Sequence, residues 1–290
     1  MVLLRFLILP EKPALAVEFF EILDMEKRLW NHVLTVRRQA PLVQNITNFV
    51  VMNNTANALL AVGASPIMAH AEGELADMTQ ICQSLVINIG TLDEHWFESM
   101  LQASATVRRA GKPWVLDPVG AGATPYRDHA ISQLLAMRPT VVRGNASEIM
   151  ALAKANHNAT KGVDSTAASI DALDAARFIR KQYGSVVCIS GEADIVVGED
   201  QPVYIRNGHP LMTKVTGLGC SATAIIGAFL AVVEHTEEAV SAAMALLGVC
   251  GELAVAVSNG PGSLQVNLLD KLYNITDDEF ITKLRIAYEA

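Results

Sequence analysis

The chain has 290 residues, of which 51% are hydrophobic and 18% are charged, and its formal net charge is −8. This much apolar sequence suits one large core with several largely buried helices, and the absence of any Lys- or Arg-rich run argues against a nucleic-acid partner. Its four cysteines form no CxxC pair, which argues against zinc or disulfides and favours the reducing cytoplasm.

The amino terminus is apolar over residues 1–10, but it lacks an A-x-A cleavage site and is followed by acidic residues. We therefore expect no signal peptide. The longest uncharged run of helical character, residues 218–233, is shorter than the ~20 apolar residues that cross a bilayer. This run predicts a core helix, and we expect no membrane partner.

The first third of the chain is rich in small amides and hydroxyls over residues 41–54, where Asn45 is one of several asparagines. Such side chains suit the recognition of a neutral, hydrogen-bonding small molecule. Met68 follows a strand-like bend after Pro66 and could pack on a flat ring. On composition alone, however, Met68 is more typical of a core residue.

From residue 85 onward, short β-branched runs alternate with stretches of helical length. The alternation predicts an α/β fold with a mostly parallel central sheet covered by helices on both faces, within one domain. Predicted strands are residues 85–89, 114–116, 140–142, 186–189 and 195–197; predicted helices are residues 95–110, 126–137 and 170–183. Residues 219–259 are nearly all helix-forming and rich in Ala.

Four segments are expected at strand ends, where open α/β sheets bind ligands. They are residues 116–122 (LDPVGAG), 143–148 (RGNASE), 190–194 (SGEAD) and 215–221 (VTGLGCS). Their convergence at one edge of the sheet predicts a site more strongly than any single motif.

The segment TGLGCS places Gly217 and Gly219 immediately before an uncharged helix. Glycines can turn backbone N–H groups toward a ligand, and a helix start adds further donors and the positive end of the dipole. This arrangement predicts an anion hole for a transferring phosphoryl group. The alternative is a glycine-rich loop that caps a buried helix; no Walker A motif is present.

Two acidic residues are candidate Mg²⁺ ligands. Asp117 ends a predicted strand, and Glu148 lies three residues after Asn145. Mg²⁺ takes few protein carboxylates and keeps several waters, so Glu148 could act through water. A capping box would also explain Asn145 and Glu148, and an Asp before Pro is often only a turn residue.

Arg143 and Ser190 follow two further predicted strands. Beside an anion hole, an Arg side chain would bind phosphate oxygens, and a hydroxyl at position 190 could contact a nucleotide. The alternatives are a solvated charge and an ordinary strand exit.

Six pieces of the chain together resemble the hydroxyethylthiazole kinase family of the ribokinase-like superfamily. They are PLVQNITNFVVMNNTANALLAVGASPIM, INIGTL, LDPVGAGAT, VVRGNASEIMAL, PLMTKVTGLGCSATA and NGPGS, in the family's order, and they span roughly residues 27–269. The resemblance implies a ribokinase-like three-layer fold. It also implies ATP- and Mg²⁺-dependent phosphorylation of 4-methyl-5-(2-hydroxyethyl)thiazole in thiamin salvage.

The resemblance also implies residue roles. Met68 and Gly217 would contact the thiazole with Asn45 close by, Arg143 and Ser190 would contact ATP, and Asp117 and Glu148 would serve the metal. Cys220 takes the position of the catalytic Asp of sugar kinases and would act with Gly217 and Gly219. It should lie in the first turn of the helix after Gly219, where the helix dipole favours the thiolate and would lower its pKa, which would make it a usable general base. The alternative is that Cys220 is a small core residue. Family members are typically homotrimers with the thiazole pocket at subunit interfaces.

Residues 1–24 lie before the usual family start, so we interpret them as an extension and residues 25–290 as the single kinase domain. Two alternatives remain on the same scaffold: an ATP- or ADP-dependent NAD(P)H-hydrate dehydratase and a kinase for another small alcohol. A non-catalytic binding protein is a third. The GASPIM and TKVTGLGC segments argue against the dehydratase, and the presence of Asp117, Glu148 and Arg143 argues against lost chemistry.

Overall fold

The computed structural model describes residues 13–160 and 172–288, and of residues 13–23 and 156–160 it describes only the backbone. Within these residues the chain forms one nine-stranded sheet in the order β2-β1-β3-β4-β5-β6-β7-β8-β9. The strands are β1 Leu42–Ile46, β2 Ser65–Ile67, β3 Ser84–Asn88, β4 Trp114–Asp117, β5 Val141–Asn145, β6 Val186–Ser190, β7 Asp194–Val197, β8 Val203–Ile205 and β9 Ile286–Tyr288.

The six strands from β2 to β6 in the sheet order are parallel, and β7, β8 and β9 join antiparallel at one edge. The central parallel strands are buried on both faces; every residue of β3 and β4 is buried, whereas the edge strand β2 is only half-buried. Runs of β-branched and apolar residues are what such strands require. All five predicted strands are present, with ends shifted by a residue or more.

Helices cover both faces of the sheet. The helices are α1 Pro13–Gln39, α2 Met52–Val62, α3 Leu75–Ile81, α4 Glu94–Arg109, α5 Pro125–Ala136, α6 Ala146–Thr160, α7 Ala172–Tyr183, α8 Leu218–Leu230, α9 Thr236–Val255, α10 Pro261–Asn274 and α11 Asp277–Lys283. One core contains residues of α1, α2 and α8 to α11, and the other contains residues of α3 to α7. The predicted three-layer α/β fold is therefore confirmed.

Helix α8 lies directly on the sheet because one of its residues has no side chain. A Cβ added at Gly227 would lie 2.5 Å from a methyl carbon of Val86. Close contact also lets Ser84 Oγ donate to the Gly227 carbonyl at 2.7 Å. This packing fixes where the start of α8 lies relative to the strand ends.

The region predicted as helical from residue 219 to 259 contains two helices, α8 and α9, separated at residues 231–235. Helix α9 is long and apolar enough to cross a membrane by length and composition, but 78% of its most apolar window is buried inside the fold. It is a core helix here. Segment 215–221 does not follow a strand, contrary to prediction: a 3-10 turn, Pro210–Lys214, precedes it.

Helix α1 runs without interruption from Pro13 to Gln39 and so crosses the position where we expected the domain to begin. Within α1, Met25, Leu29 and Trp30 are buried, and the Trp30 ring lies 5.4 Å from that of Phe280. Side chains before Asp24 lie outside the described residues, as does the start of the proposed extension.

Candidate functional site

Three of the four predicted segments meet at the carboxyl ends of β4, β5 and β6, where the amino end of α8 also lies. Arg143, Ser190 and Gly219 line one cleft of about 300 Å³, together with Gly191 and Asp194. The two residues predicted to contact ATP are thus brought together with the predicted anion hole. A larger cleft of about 880 Å³, between α1, β7 and the start of α9, contains none of the predicted site residues.

Gly217 is the N-cap of α8 and has a φ of 81°, a backbone conformation that favours glycine. A Cβ there would lie 2.6 Å from a methyl carbon of Val51, so the position also lacks space for a side chain. The first helical bond in the turn runs from the Ser221 N–H to the Gly217 carbonyl, at 2.9 Å. The preceding N–H groups of the first turn have no partner within the helix and can bind an anion.

The guanidinium of Arg143 lies against the first turn of α8. A Cβ added at Gly219 would lie 2.8 Å from the guanidinium Nη1, so glycine makes the close approach possible. The Arg143 Nε is buried and makes no hydrogen bond to any residue that the structure describes. The positive charge of a guanidinium is repelled by the positive end of a helix dipole. An anion bound between the two would remove this repulsion.

Asp117 ends β4 and is 1% exposed. Its Oδ2 accepts hydrogen bonds from Asn88 Nδ2 and from the Thr223 hydroxyl, each at 2.7 Å. Burial raises the pKa of Asp117 to about 6, although nearby Arg143 and the bond from Thr223 oppose that rise. A cation beside Asp117 would stabilise this buried carboxylate, which fits its predicted metal role.

Glu148 forms the capping box that the sequence left open as an alternative. Its Oε2 accepts from the Asn145 N–H at 2.9 Å, and its own N–H donates to Asn145 Oδ1 at 3.0 Å. Its Oε1 accepts from the Gly120 N–H at 2.9 Å. Both oxygens therefore already hold backbone groups, and an outer role through water fits Glu148 better than direct coordination.

Cys220 lies in the first turn of α8, as predicted, and is half-buried. Asn48 Nδ2 donates to its Sγ at 3.6 Å. The expected lowering of its pKa is wrong: burial, and then the charge of Asp117, raise the pKa of the Cys220 thiol despite the opposing effects of Asn88, Asn48 and Arg143. The helix dipole does not outweigh the loss of solvent.

Asn45 and Met68, predicted to lie near the thiazole, are not brought together with the rest of the site by any described contact. Asn45 is fully buried within β1, where its Nδ2 donates to the Val43 carbonyl at 3.0 Å. Met68 directly follows β2, the edge strand. The asparagines that reach Cys220 are Asn48, three residues further along the chain, and Asn88.

Sequence reasoning also missed Asn88, Thr223 and Arg127. Arg127 on α5 donates to the carbonyls of Ile89, Val119 and Gly90 at 2.6–2.9 Å and so ties together the loops after β3 and β4. A polar residue at the end of an apolar strand was the available signal for Asn88. Thr223 and Arg127 lie inside helices and gave none.

The parallel sheet, the cleft at its carboxyl edge and the glycine turn into α8 define a small-molecule kinase of ribokinase-like fold. A ribokinase-like superfamily protein from Enterococcus faecalis V583 shares this fold, with a TM-score of 0.58 at 14% identity over 80% of this chain and 86% of that one.

The family is shown by closer matches. The model of the hydroxyethylthiazole kinase family matches residues 33–278, and the chain belongs to that family. It is 53% identical over 259 residues to a hydroxyethylthiazole kinase from Syntrophus aciditrophicus (strain SB), covering 89% of this chain and 96% of that one. It is 40% identical to the solved hydroxyethylthiazole kinase protein of Pyrococcus horikoshii OT3, with a TM-score of 0.81 and coverage of 91% and 100%.

Proposed function

We propose that this enzyme transfers the γ-phosphoryl group of ATP to the hydroxyl of 4-methyl-5-(2-hydroxyethyl)thiazole, as a cytoplasmic step of thiamin salvage. The observation that carries the phosphoryl-transfer chemistry is the Arg143 guanidinium placed against the amino end of α8 at Gly219. The name of the relatives supports the acceptor, since they are hydroxyethylthiazole kinases.

In this mechanism the backbone N–H groups from Gly217 to Cys220 hold the γ-phosphoryl group, and Arg143 neutralises the phosphate chain. Ser190 contacts the nucleotide from the end of β6. The transition state of phosphoryl transfer is loose, so positioning and charge stabilisation matter more than early removal of the hydroxyl proton. The raised pKa of Cys220 is compatible with such a transition state.

Mg²⁺ fits the two carboxyl groups of Asp117 and Glu148 at the ends of β4 and β5. Asp117 would hold it directly, and Glu148, whose oxygens already accept backbone hydrogen bonds, would hold its water. When bound, the ion supplies positive charge beside the β- and γ-phosphates. The chain's own contribution is to keep Asp117 fixed through Asn88 and Thr223.

The acceptor would bind on the other side of Cys220, with Met68, Gly217 and Asn45 around the thiazole. Because Met68 and Asn45 make no described contact with Gly217 within one chain, we further propose a homotrimer in which a neighbouring subunit completes this pocket. Phe49 and Val50, 58% and 62% exposed beside Asn48, supply apolar surface for such a contact.

A coupled ATP-consumption assay over a panel of small alcohols tests the proposal. The thiazole alcohol should be the fastest acceptor, and mass spectrometry should detect its monophosphate. Faster turnover of hydroxymethylpyrimidine or of a sugar would reject the acceptor. Dehydration of hydrated NADH would instead support the dehydratase alternative, and nucleotide binding without turnover would support a binding protein.

A further inference from the structure

Asn88 uses both ends of its amide at the centre of the site. It is the last residue of β3, is 1% exposed, and pairs in register with Asp117 on β4. Its Nδ2 donates to Asp117 Oδ2 at 2.7 Å. Its Oδ1 accepts from Asn48 Nδ2 at 2.7 Å and from the Gly90 N–H at 3.0 Å.

Asn48 extends this chain of contacts to Cys220. The Asn48 Nδ2 that donates to Asn88 also donates to Cys220 Sγ at 3.6 Å, while the Asn48 Oδ1 accepts from the Val50 N–H at 3.1 Å. With its oxygen held by the backbone and its nitrogen held by Asn88, the Asn48 amide has one orientation. Asn88 therefore sets the direction from which Asn48 approaches the thiol.

We infer that Asn88 is a positioning residue that fixes Cys220, on the acceptor side, relative to Asp117, on the phosphate side. This inference rests on the proposed function, because it takes the roles of those two residues from it. A displacement of ~1 Å in a near-attack geometry can cost ~10²-fold in rate. The buried amide of Asn88, which is linked both to Asp117 and, through Asn48, to Cys220, is well placed to prevent such a displacement.

The competing explanation is that Asn88 only stabilises the sheet. Ser84 provides the matched control: it begins the same strand, is fully buried, and donates to the Gly227 carbonyl at 2.7 Å, at the end of β3 away from the site. Ser84→Ala removes a buried hydrogen bond of β3 without touching Asn48, Asp117 or Cys220.

The experiment compares Asn88→Ala, Asn48→Ala, the double variant and Ser84→Ala by kcat, by KM for both substrates, and by thermal midpoint. We expect Asn88→Ala to lower kcat about 10- to 100-fold while each KM changes by less than about threefold. If the two substitutions acted independently, their fold-losses in kcat would multiply. The double variant should retain at least about threefold more activity than that product, because both substitutions break the same contact between Asn88 and Asn48. Ser84→Ala should lose stability with kcat within about twofold of the parent.

Asn88→Ser is the second variant in case Asn88→Ala does not fold, since a short hydroxyl cannot reach Asp117 and Asn48 at once; it should show the same loss of kcat. Any of three results would overturn the inference. The first is a parent-like kcat in the folded Asn88 variants, the second is a double variant whose loss of kcat equals the product of the two single losses, and the third is an equal loss of kcat in Ser84→Ala. The series uses the alcohol on which the parent is fastest. If the parent enzyme does not phosphorylate the thiazole alcohol, the proposed acceptor is wrong, but the test of Asn88 can still be read with the alcohol that the parent does use.

Discussion

If Cys220 is the base that removes the acceptor proton, as the proposed function would allow, it must act as a thiolate, yet its surroundings disfavour the thiolate. Burial and the charge of Asp117 raise the pKa of this thiol, and the hydrogen bond from Asn48 only partly offsets them. At neutral pH the group is therefore largely protonated. Since a loose transition state needs little early proton removal, the anion hole can carry most of the catalysis.

Substitution of Cys220 measures how much this residue contributes to kcat. We expect Cys220→Ser and Cys220→Ala to lower kcat, with a loss below ~10²-fold because a thiol with a raised pKa is a poor base. Cys220→Asp should retain activity, since a carboxylate can accept from Asn48 and is available in its ionised form at neutral pH, whereas the thiol is largely protonated. Rapid-quench measurement of the phosphorylated product gives kcat for each. Activity of Cys220→Ala equal to that of the parent would show that the proton leaves to water or phosphate.

Arg143 should act on the nucleotide more than on the acceptor. Arg143→Ala removes charge-assisted hydrogen bonds to phosphate worth ~1.5–3 kcal/mol, which corresponds to roughly 10- to 150-fold in kcat/KM for ATP. Steady-state kinetics with each substrate varied in turn would measure it. Arg177→Ala is the control, because Arg177 is exposed and pairs only with nearby Asp174 in the described contacts. Unchanged kinetics in Arg143→Ala would show that this residue does not bind the nucleotide.

Asp194, on the wall of the nucleotide cleft, should make stability depend on pH. Burial raises its pKa to about 6, against the opposing hydrogen bond from the Gly191 N–H. A raised pKa means that the folded state favours the protonated carboxyl, so the parent loses stability as pH rises from about 4 to 6. Asp194→Asn, which stays neutral, should therefore be more stable than the parent at pH 8, by on the order of 2–3 kcal/mol.

Urea unfolding of the ligand-free protein at several pH values measures this difference. It should shrink as pH falls from about 6 and approach zero below about pH 3, where the parent carboxyl is protonated in both states. Asp174→Asn, on an exposed ion pair, serves as the control and should show little pH-dependent change. A constant difference across the range would show that the effect of Asp194→Asn is not electrostatic.

At the scale of the elements, α1 determines where the domain can begin. The family match starts at residue 33, but the side chains of Met25, Leu29 and Trp30 are already buried. A chain that starts at Met25 should keep the thermal midpoint and activity of the full-length protein. A chain that starts at Val33 should lose several kcal/mol, since each buried large side chain contributes ~2–5 kcal/mol.

Calorimetry and activity on both truncated proteins decide where the boundary lies. Loss of solubility or activity in the chain from Met25 would show that residues before it pack on the core. Phe19 and Phe20 would then be the residues to test; their side chains lie outside the described residues.

The central strands and the glycine turn could be predicted because their signals are local. Strands such as β3 are continuous apolar runs, and the helix after Gly217 is uncharged over more than ten residues. Strands β8 and β9 were missed because each has three residues and they pair across about eighty residues of sequence. No local pattern encodes such a contact.

The same limit applies to the site. The sequence identified Asp117, Arg143 and Gly217 because strand ends and glycines can be recognised locally. It did not identify the contact between Asn48 and Asn88, which depends on the register of β1 against β3 and on the loop after β1. The pKa of Cys220 was predicted in the wrong direction because burial cannot be read from one turn of helix.

At the scale of the whole molecule, apolar surface is exposed next to the site. Phe49 is 58% exposed although its ring packs 4.6 Å from that of Trp96, and the adjacent Val50 is 62% exposed. Both directly follow Asn48, which contacts Cys220. A subunit contact at these residues would remove apolar area from water within reach of the acceptor pocket.

We therefore expect a trimer mass by light scattering at micromolar concentration, and we expect Val50→Asp to shift it toward the monomer. Burying an unpaired carboxylate in an apolar contact costs several kcal/mol, so the subunits should separate. If the neighbouring subunit completes the acceptor pocket, the same variant should raise KM for the alcohol more than KM for ATP. The nucleotide cleft, lined by Arg143, Ser190 and Gly219, lies within one chain.

Tyr273→Asp is the control for this experiment. Tyr273 is 73% exposed, and its carbonyl accepts a hydrogen bond from Arg37. Because Arg37 comes shortly before the start of β1, Tyr273 lies near the amino ends of the strands, opposite the site. Its substitution adds the same charge to exposed apolar surface and should leave both the mass and the two KM values unchanged. A monomeric parent would remove the basis for a shared pocket, and the acceptor would then have to bind to residues of one chain alone. A trimer that survives Val50→Asp with unchanged kinetics would place the subunit contact elsewhere on the surface.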